Sequence, residues 1–141
     1  MLSLKLGQKI GSGRNLVTFS NKFALRFDGV DDYADISAAA SEVDTAQGCF
    51  STWVKLDTTS INAPVFKCYV NANNQITIIY LHASNQIKFM YKAAGTNTQV
   101  QGATSIEADG NYHHLALSWK VASNQLKAYI DGVQFGSTAI G

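Results

Sequence analysis

Short runs in which apolar and polar residues alternate make up most of this chain, which is the pattern of half-buried β-strands. Runs such as CFSTWVKLD and YHHLALSWK are rich in β-branched and aromatic residues. Strands are predicted at residues 22–27, 33–36, 49–57, 64–70, 75–82, 86–92, 97–101, 112–120 and 124–130. Turn residues separate the runs at intervals of about ten residues, a spacing typical of a β-sandwich or barrel. Only residues 36–46 suggest a short helical turn, so folds that alternate strands with helices are excluded.

Three hairpin turns are predicted from local sequence. ASNQIKFMY at 83–91 and ASNQLKAYI at 122–130 are near repeats, in which Ser-Asn joins two apolar runs. Because asparagine tolerates a positive φ, the same turn is expected in both places. Asp131-Gly132 within YIDGVQF is a strong two-residue turn signal. The chain is therefore expected to be all-β and antiparallel.

Charge divides the N-terminal part of the chain into a basic and an acidic section. The first 26 residues carry five bases and no acid, whereas residues 27–44 carry six acids and no base. Residues 1–21 are predicted to form an extended basic arm that precedes one domain, residues 22–141. A length of 141 residues suits a single domain with its own core.

Composition argues against several classes of partner. Charged residues make up 15%, which is low, and the net charge is +1, so no overall field attracts nucleic acid. No apolar run approaches the roughly 18 residues of a membrane span, and the N-terminus lacks the apolar core of a secretory signal. Neither nucleic acid nor membrane is expected as a partner.

The two cysteines, Cys49 and Cys68, lie in apolar strand-like runs without a CxxC spacing. Two buried free thiols are favoured over a disulfide bridge, and a zinc site is not indicated. The redox compartment stays open.

The residues that usually carry catalysis are poorly placed. Glycoside hydrolysis needs two carboxyl groups facing one another, but Glu42 and Glu107 both lie outside the predicted strands. His113 and His114 are adjacent on a strand, so their side chains point to opposite faces. No GxSxG elbow is present. The protein is therefore predicted not to be an enzyme.

The acid-rich stretch FDGVDDYADI allows two interpretations. In the favoured one it is a tight strand connection, in which Gly29 adopts a positive φ and the aspartates accept backbone N–H groups. In the other it is a calcium loop with Asp28 and Asp32 as ligands, although the twelve-residue DxDxDG pattern is absent. No cofactor is expected, with calcium kept as the alternative.

Five tyrosines lie in predicted strands: Tyr69, Tyr80, Tyr91, Tyr112 and Tyr129. On the solvent face of a sheet, such rings stack against sugars. As half-buried cross-strand partners they only stabilise the sheet, and this second interpretation is favoured. Tyr69, Tyr80 and Tyr91 are the candidate ligand-binding residues.

Three segments together resemble a known family. FALRFDGVDDYADI, CFSTWVKLD and YHHLALSWKVASNQLKAYIDGVQFGS resemble, in that order, segments of the laminin G-like branch of the concanavalin A-like lectin/glucanase family. The resemblance covers residues 23–137 and implies a jelly-roll sandwich of two antiparallel sheets that binds or adheres rather than catalyses. It also implies a structural calcium near Asp28. Tyr112 stands where the family usually has tryptophan, and the catalytic signature ExDxxE is absent.

The resemblance also implies strands beyond the end of this sequence. Family members continue after the DG hairpin, whereas this sequence ends at Gly141. The sandwich is therefore expected to lack its last strands, or to have the gap filled by residues 1–21 of the same or a neighbouring subunit.

The opening of the chain resembles the openings of tailed-phage virion proteins, as seen in MLSLKLGQKIGS and FSNKFALRFDGVDDY. This implies a virion structural protein: a capsid decoration, head fibre or tail component on the virion surface. It would be a homo-oligomer that contacts other virion proteins through residues 1–21 and binds host-surface glycans. The alternative is an extracellular carbohydrate-binding module, with or without calcium, that adheres to cell-surface glycans.

Overall fold

The fold is a sandwich of two antiparallel four-stranded sheets. A computed structural model describes residues 24–28, 30–38, 43–44, 46–57, 61–107 and 109–140. The strands are β1 (Gln47–Val54), β2 (Ala63–Asn71), β3 (Asn74–Leu81), β4 (Gln86–Ala93), β5 (Thr96–Ala103), β6 (His113–Lys120), β7 (Gln125–Ile130) and β8 (Val133–Ile140). Sheet A has the order β1-β6-β7-β8, and sheet B has the order β2-β3-β4-β5. The predicted jelly-roll sandwich is confirmed, while the predicted arm at residues 1–21 lies outside the described residues.

Alternate residues of the central strands fill the space between the sheets. The fully buried side chains are Ile78, Tyr80, Ile87, Phe89, Leu115, Leu117, Leu126 and Ala128. The Phe50 ring of sheet A stacks on the Phe66 ring of sheet B with centroids 3.7 Å apart. Because strand side chains alternate, the intervening residues of both sheets face away from this core.

The predicted hairpin turns are confirmed. Asn85 and Asn124 both adopt the left-handed conformation, with φ of 50° and 47°, after short 3₁₀ turns at His82–Ser84 and Val121–Ser123. Each asparagine N–H donates to the carbonyl oxygen three residues before it, His82 or Val121. Asp131 and Gly132 have φ of 52° and 81°, as a two-residue hairpin turn requires.

Seven predicted strands are confirmed as β1 to β7, with ends that shift by a few residues, and β8 follows the Asp131-Gly132 turn. The predicted strands at 22–27 and 33–36 are wrong for the described residues, because residues 24–28 and 30–36 form no strand and are exposed. Local hydrogen bonds explain this: the N–H of Val30 donates to Asp28 Oδ1, and the N–H of Asp28 donates to Asp32 Oδ2. In the predicted helical turn at 36–46, residues 37–38 are helical, and residues 39–42 and 45 lie outside the description.

Both cysteines are free thiols, but the predicted burial of Cys49 is wrong. Phe50 takes the core position on β1, so Cys49 faces outward opposite Ser118 and is exposed. Cys68 is partly buried and packs against the core. Within the described residues, no helix is long and apolar enough to cross a membrane.

Candidate functional site

The outer surface of sheet A presents three aromatic side chains, which we call the aromatic face: Trp53, His114 and Tyr129. On β6, Leu115 and Leu117 point into the core, so His114 points outward. The strand register places Trp53 of β1 directly opposite His114. Tyr129 of β7 lies opposite Ala116, and therefore diagonally across from His114.

Small residues surround these rings and leave room above the sheet. Trp53 and His114 have ring centroids 5.3 Å apart and planes inclined by 50°. All three side chains of the aromatic face are half-buried. The small outward-facing neighbours are Cys49, Ser51, Ala116 and Ser118. The arrangement is a shallow platform, with Lys127 and Gln134 as polar neighbours on β7 and β8.

Asp131 holds the end of this platform in place. Its N–H donates to the His114 carbonyl at 2.8 Å, and its Oδ1 accepts the His114 N–H at 2.8 Å. Because Asp131 sits in the tight β7–β8 turn, these two bonds attach the turn to β6. The backbone of His114 is thereby fixed, and with it the position of the imidazole.

His113 points away from the aromatic face and lies between two carboxylates. Its Nδ1 is 2.7 Å from Asp131 Oδ2, and its Nε2 is 2.9 Å from Asp109 Oδ2. Burial by itself would lower the pKa of His113, but the two carboxylates outweigh it, so that pKa is raised. The same contacts help to lower the pKa of Asp131 against the opposing effect of its burial. With both ring nitrogens engaged, His113 joins the loop before β6 to the β7–β8 turn.

The three tyrosines predicted as ligand-binding residues lie in different environments on sheet B. Tyr69 is 55% exposed, and Lys67 Nζ lies 4.6 Å from its ring centroid. Tyr91 is half-buried against the core, and this burial raises its pKa. The structure brings none of them to the aromatic face.

The prediction of Tyr80 as a ligand-binding residue is wrong, because its side chain is fully buried and cannot stack against a sugar. It belongs to the inward-facing set on β3, with Ile76 and Ile78. Its hydroxyl donates to Glu107 Oε2 and lies 2.6 Å from Asn85 Oδ1. Burial and the neighbouring Glu107 carboxylate raise the pKa of Tyr80 to about 12.

The predicted calcium ligands lie together on the surface. Carboxylate oxygens of Asp28, Asp31 and Asp32 are within 4.8 Å of one another, and all three residues are exposed. The N–H of Val30 donates to Asp28 and contributes most to lowering its pKa. The expected hydrogen bonds to backbone N–H groups are therefore present, while Gly29 lies outside the described residues. Three carboxylates fit a hard cation such as Ca²⁺, which takes 6–8 oxygens and would need further ligands from backbone or water.

Sequence reasoning missed Trp53 and His114 as candidates for binding. The available signal was the alternation along β1, where Phe50 and Val54 pack against the core and Trp53 therefore faces out. The juxtaposition of Trp53 and His114 depends on the pairing of two strands that are distant in the sequence, and no local pattern specifies that pairing.

Comparison with known families gives one assignment. The Laminin_G_3 family model, described as the concanavalin A-like lectin/glucanases superfamily, matches residues 28–141. Among curated proteins, none matches this chain.

Proposed function

This chain belongs to the concanavalin A-like lectin/glucanases superfamily, and on that premise we propose that it is a carbohydrate-binding module. The observation that carries the proposal is the aromatic face of sheet A. Trp53 and His114 stand side by side there, and Tyr129 lies on the next strand, above small residues.

The chemistry of this face suits a sugar ring. The C–H groups on one face of a pyranose are weakly apolar and pack against the faces of aromatic rings, while its hydroxyl groups need hydrogen-bond partners at the edge. The Tyr129 hydroxyl and the polar ends of His114 and Lys127 supply such partners. A shallow, open platform suits a polysaccharide or a terminal glycan, which can lie across it without entering a pocket.

We propose binding without cleavage. The outward-facing residues of β1, β6 and β7 include no acid, whereas glycoside hydrolysis uses two carboxyl groups beside the scissile bond. Glu107 is engaged by Tyr80 on the other sheet, and Asp131 is engaged by His113 and the His114 N–H. These engagements support a role in holding the fold rather than in attacking a substrate.

Replacing Trp53 by alanine tests the proposal. We expect affinity for the glycan to fall about tenfold or more, because stacking on one aromatic ring is worth roughly 1–3 kcal/mol by analogy with base stacking. A glycan array would identify the ligand for the wild-type chain, and titration calorimetry would then compare variants.

Tyr69→Ala is the matched control, because it removes an exposed ring from sheet B and leaves the aromatic face intact. Loss of binding in Tyr69→Ala with retention in Trp53→Ala would move the site to sheet B. Titrations with calcium and with a chelator, repeated for Asp28→Asn, test the calcium-assisted form. Failure of the wild type to bind any glycan in either condition would contradict the proposal.

A second proposed function is display on the surface of a tailed-phage particle. It is favoured by a run of exposed apolar side chains in residues 24–36, a feature typical of a chain that packs within a larger assembly. Residues 1–21 and sister subunits would supply the attachment. Mass spectrometry of gradient-purified particles from the source sample tests this, with hundreds of copies expected for a capsid decoration and a few dozen or fewer for a tail component. Absence from the particles would leave an extracellular module.

A further inference from the structure

Residues 24–36, here called the acidic segment, combine exposed apolar side chains with acids. The large apolar residues and their exposed fractions are Leu25 75%, Phe27 49%, Val30 84%, Tyr33 82% and Ile36 56%. The charged residues are Arg26, Asp28, Asp31, Asp32 and Asp35. A contiguous run of exposed apolar residues rimmed by charge marks a surface that contacts a partner.

The outer surface of sheet B, here called the lysine face, has the opposite charge. Residues 58–106, which include all of sheet B, contain no aspartate or glutamate. Lys67, Lys88 and Lys92 face outward, because the cross-strand register places them opposite Thr77, Ile79 and Gln75, which alternate with the core residues of β3. All the charged side chains of this face are therefore basic.

The middle of the lysine face is largely apolar. Ile79 and Leu81 of β3 are half-buried there, Met90 of β4 is buried beneath them at 8% exposed, and the exposed Tyr69 ring lies opposite Gln75 at the other end of β3. An apolar centre and a basic rim are what an acidic, apolar peptide would complement.

We propose that the acidic segment of one copy of this protein docks on the lysine face of a second copy. Its apolar side chains would cover the Ile79 and Leu81 region, while its aspartates would lie near the lysines. Thirteen residues reach about 40 Å when extended, and four strands span only about 15 Å between the outer ones. The segment is therefore long enough to cross the whole face.

A second copy is the indicated partner because the apolar side chains of the segment stay exposed within a single chain. Two such contacts related by a two-fold axis would give a closed dimer, the commonest symmetry of homo-oligomers. The contact uses sheet B, so the aromatic face of sheet A remains free in the dimer. Self-association through sheet B is thus independent of glycan binding on sheet A.

Charge exchange provides the test, measured by sedimentation velocity of the full chain over a range of concentrations. Asp31→Lys/Asp35→Lys makes the segment basic and keeps Asp28 and Asp32. Lys88→Glu/Lys92→Glu makes the face acidic. Each variant alone is expected to weaken self-association about tenfold or more, because like charges then face one another. Lys120→Glu/Lys127→Glu on sheet A is the matched control and should associate like the wild type.

The decisive sample carries all four exchanges in one chain. If the segment docks between copies, this chain regains the dimer, and a mixture of the two double variants forms a heterodimer. Far-UV circular dichroism verifies that each variant folds. If a lysine variant does not fold, the salt dependence of the wild-type dimer provides the test instead: the dimer must weaken as the salt concentration rises. A wild type that stays monomeric, association that is insensitive to salt, or a fourfold variant that fails to regain the dimer would each overturn the proposal. A wild type that stays monomeric would leave docking within one chain as the remaining explanation.

Discussion

Tyr80→Ala is expected to lower the free energy of unfolding by about 3–5 kcal/mol, the usual cost of truncating a buried aromatic residue. The Tyr80 ring is fully buried between the sheets. Its hydroxyl donates a hydrogen bond to Glu107, whose backbone pairs with that of Leu56 in an isolated β-bridge. The Tyr80 side chain therefore also anchors the loop before β6. Urea denaturation followed by tryptophan fluorescence would measure the loss.

Tyr80→Phe separates the two contributions of this residue. It retains the ring and removes the hydroxyl, so a smaller loss of about 1–3 kcal/mol is expected from the polar groups left without their partner. Tyr69→Phe is the control, and should change stability little because that side chain is exposed. If Tyr80→Phe were as stable as the wild type, the hydroxyl network would have no energetic role.

The raised pKa of Tyr80 predicts that the fold loses stability in alkaline solution. Its pKa is raised from 10.0 to about 12, so the folded state favours the neutral phenol. A raised pKa contributes stability that is complete below the unfolded value and is lost as pH rises through the folded value. Stability should therefore fall between pH 10 and pH 12 in the wild type, and less steeply in Tyr80→Phe.

His113→Gln is expected to cost about 2 kcal/mol at pH 5.5 and clearly less at pH 9. Hydrogen bonds between charged partners are worth more than neutral ones, and the imidazolium form of His113 can donate to both Asp131 and Asp109. Glutamine fills a similar volume but is never charged. Thermal unfolding of both proteins across this pH range would measure the difference.

The sign of the pH effect follows from the direction of each shift. The pKa of His113 is raised above 6.5, so its contribution is complete below pH 6.5 and disappears as pH rises through the folded value. The pKa values of Asp109 and Asp131 are lowered, so their contributions are present above pH 3.8 and are lost in stronger acid. The pair of carboxylates and His113 should stabilise most between these limits. Lys127→Gln, on sheet A away from this cluster, should keep the wild-type profile.

The alternation of apolar and polar residues predicted which segments would form strands, but the prediction was correct only where a neighbouring strand pairs with the segment. β3, β4, β6 and β7 are the central strands of their sheets, where hydrogen bonds to a neighbouring strand on each side stabilise the extended backbone. Residues 24–27 and 33–36 have a similar apolar and polar pattern, yet no described strand pairs with them. Asp28 and Asp32 bond instead to nearby backbone N–H groups, which compete with a ladder.

The sequence by itself determined the features that depend on a few neighbouring residues. Asn85, Asn124 and Asp131-Gly132 adopt the left-handed turns that their side chains tolerate, and His113 and His114 point to opposite faces because strand side chains alternate. The all-β, antiparallel character of the chain followed from the same local periodicity, whereas the division into two sheets was implied by the family resemblance.

Only the tertiary structure decided which side chains meet. Trp53 and His114 become neighbours through the pairing of β1 with β6, and Tyr80 meets Glu107 through the packing of a loop against β3. Pairing between distant segments is selected by the combined burial of both sheet faces, so a single run cannot encode it. The same holds for Cys49, which that register places on the outer face, and for the three lysines of sheet B. The local pattern sets the two-residue alternation of side chains along a strand, and the packing of the sheets decides which of the two faces is exposed to water.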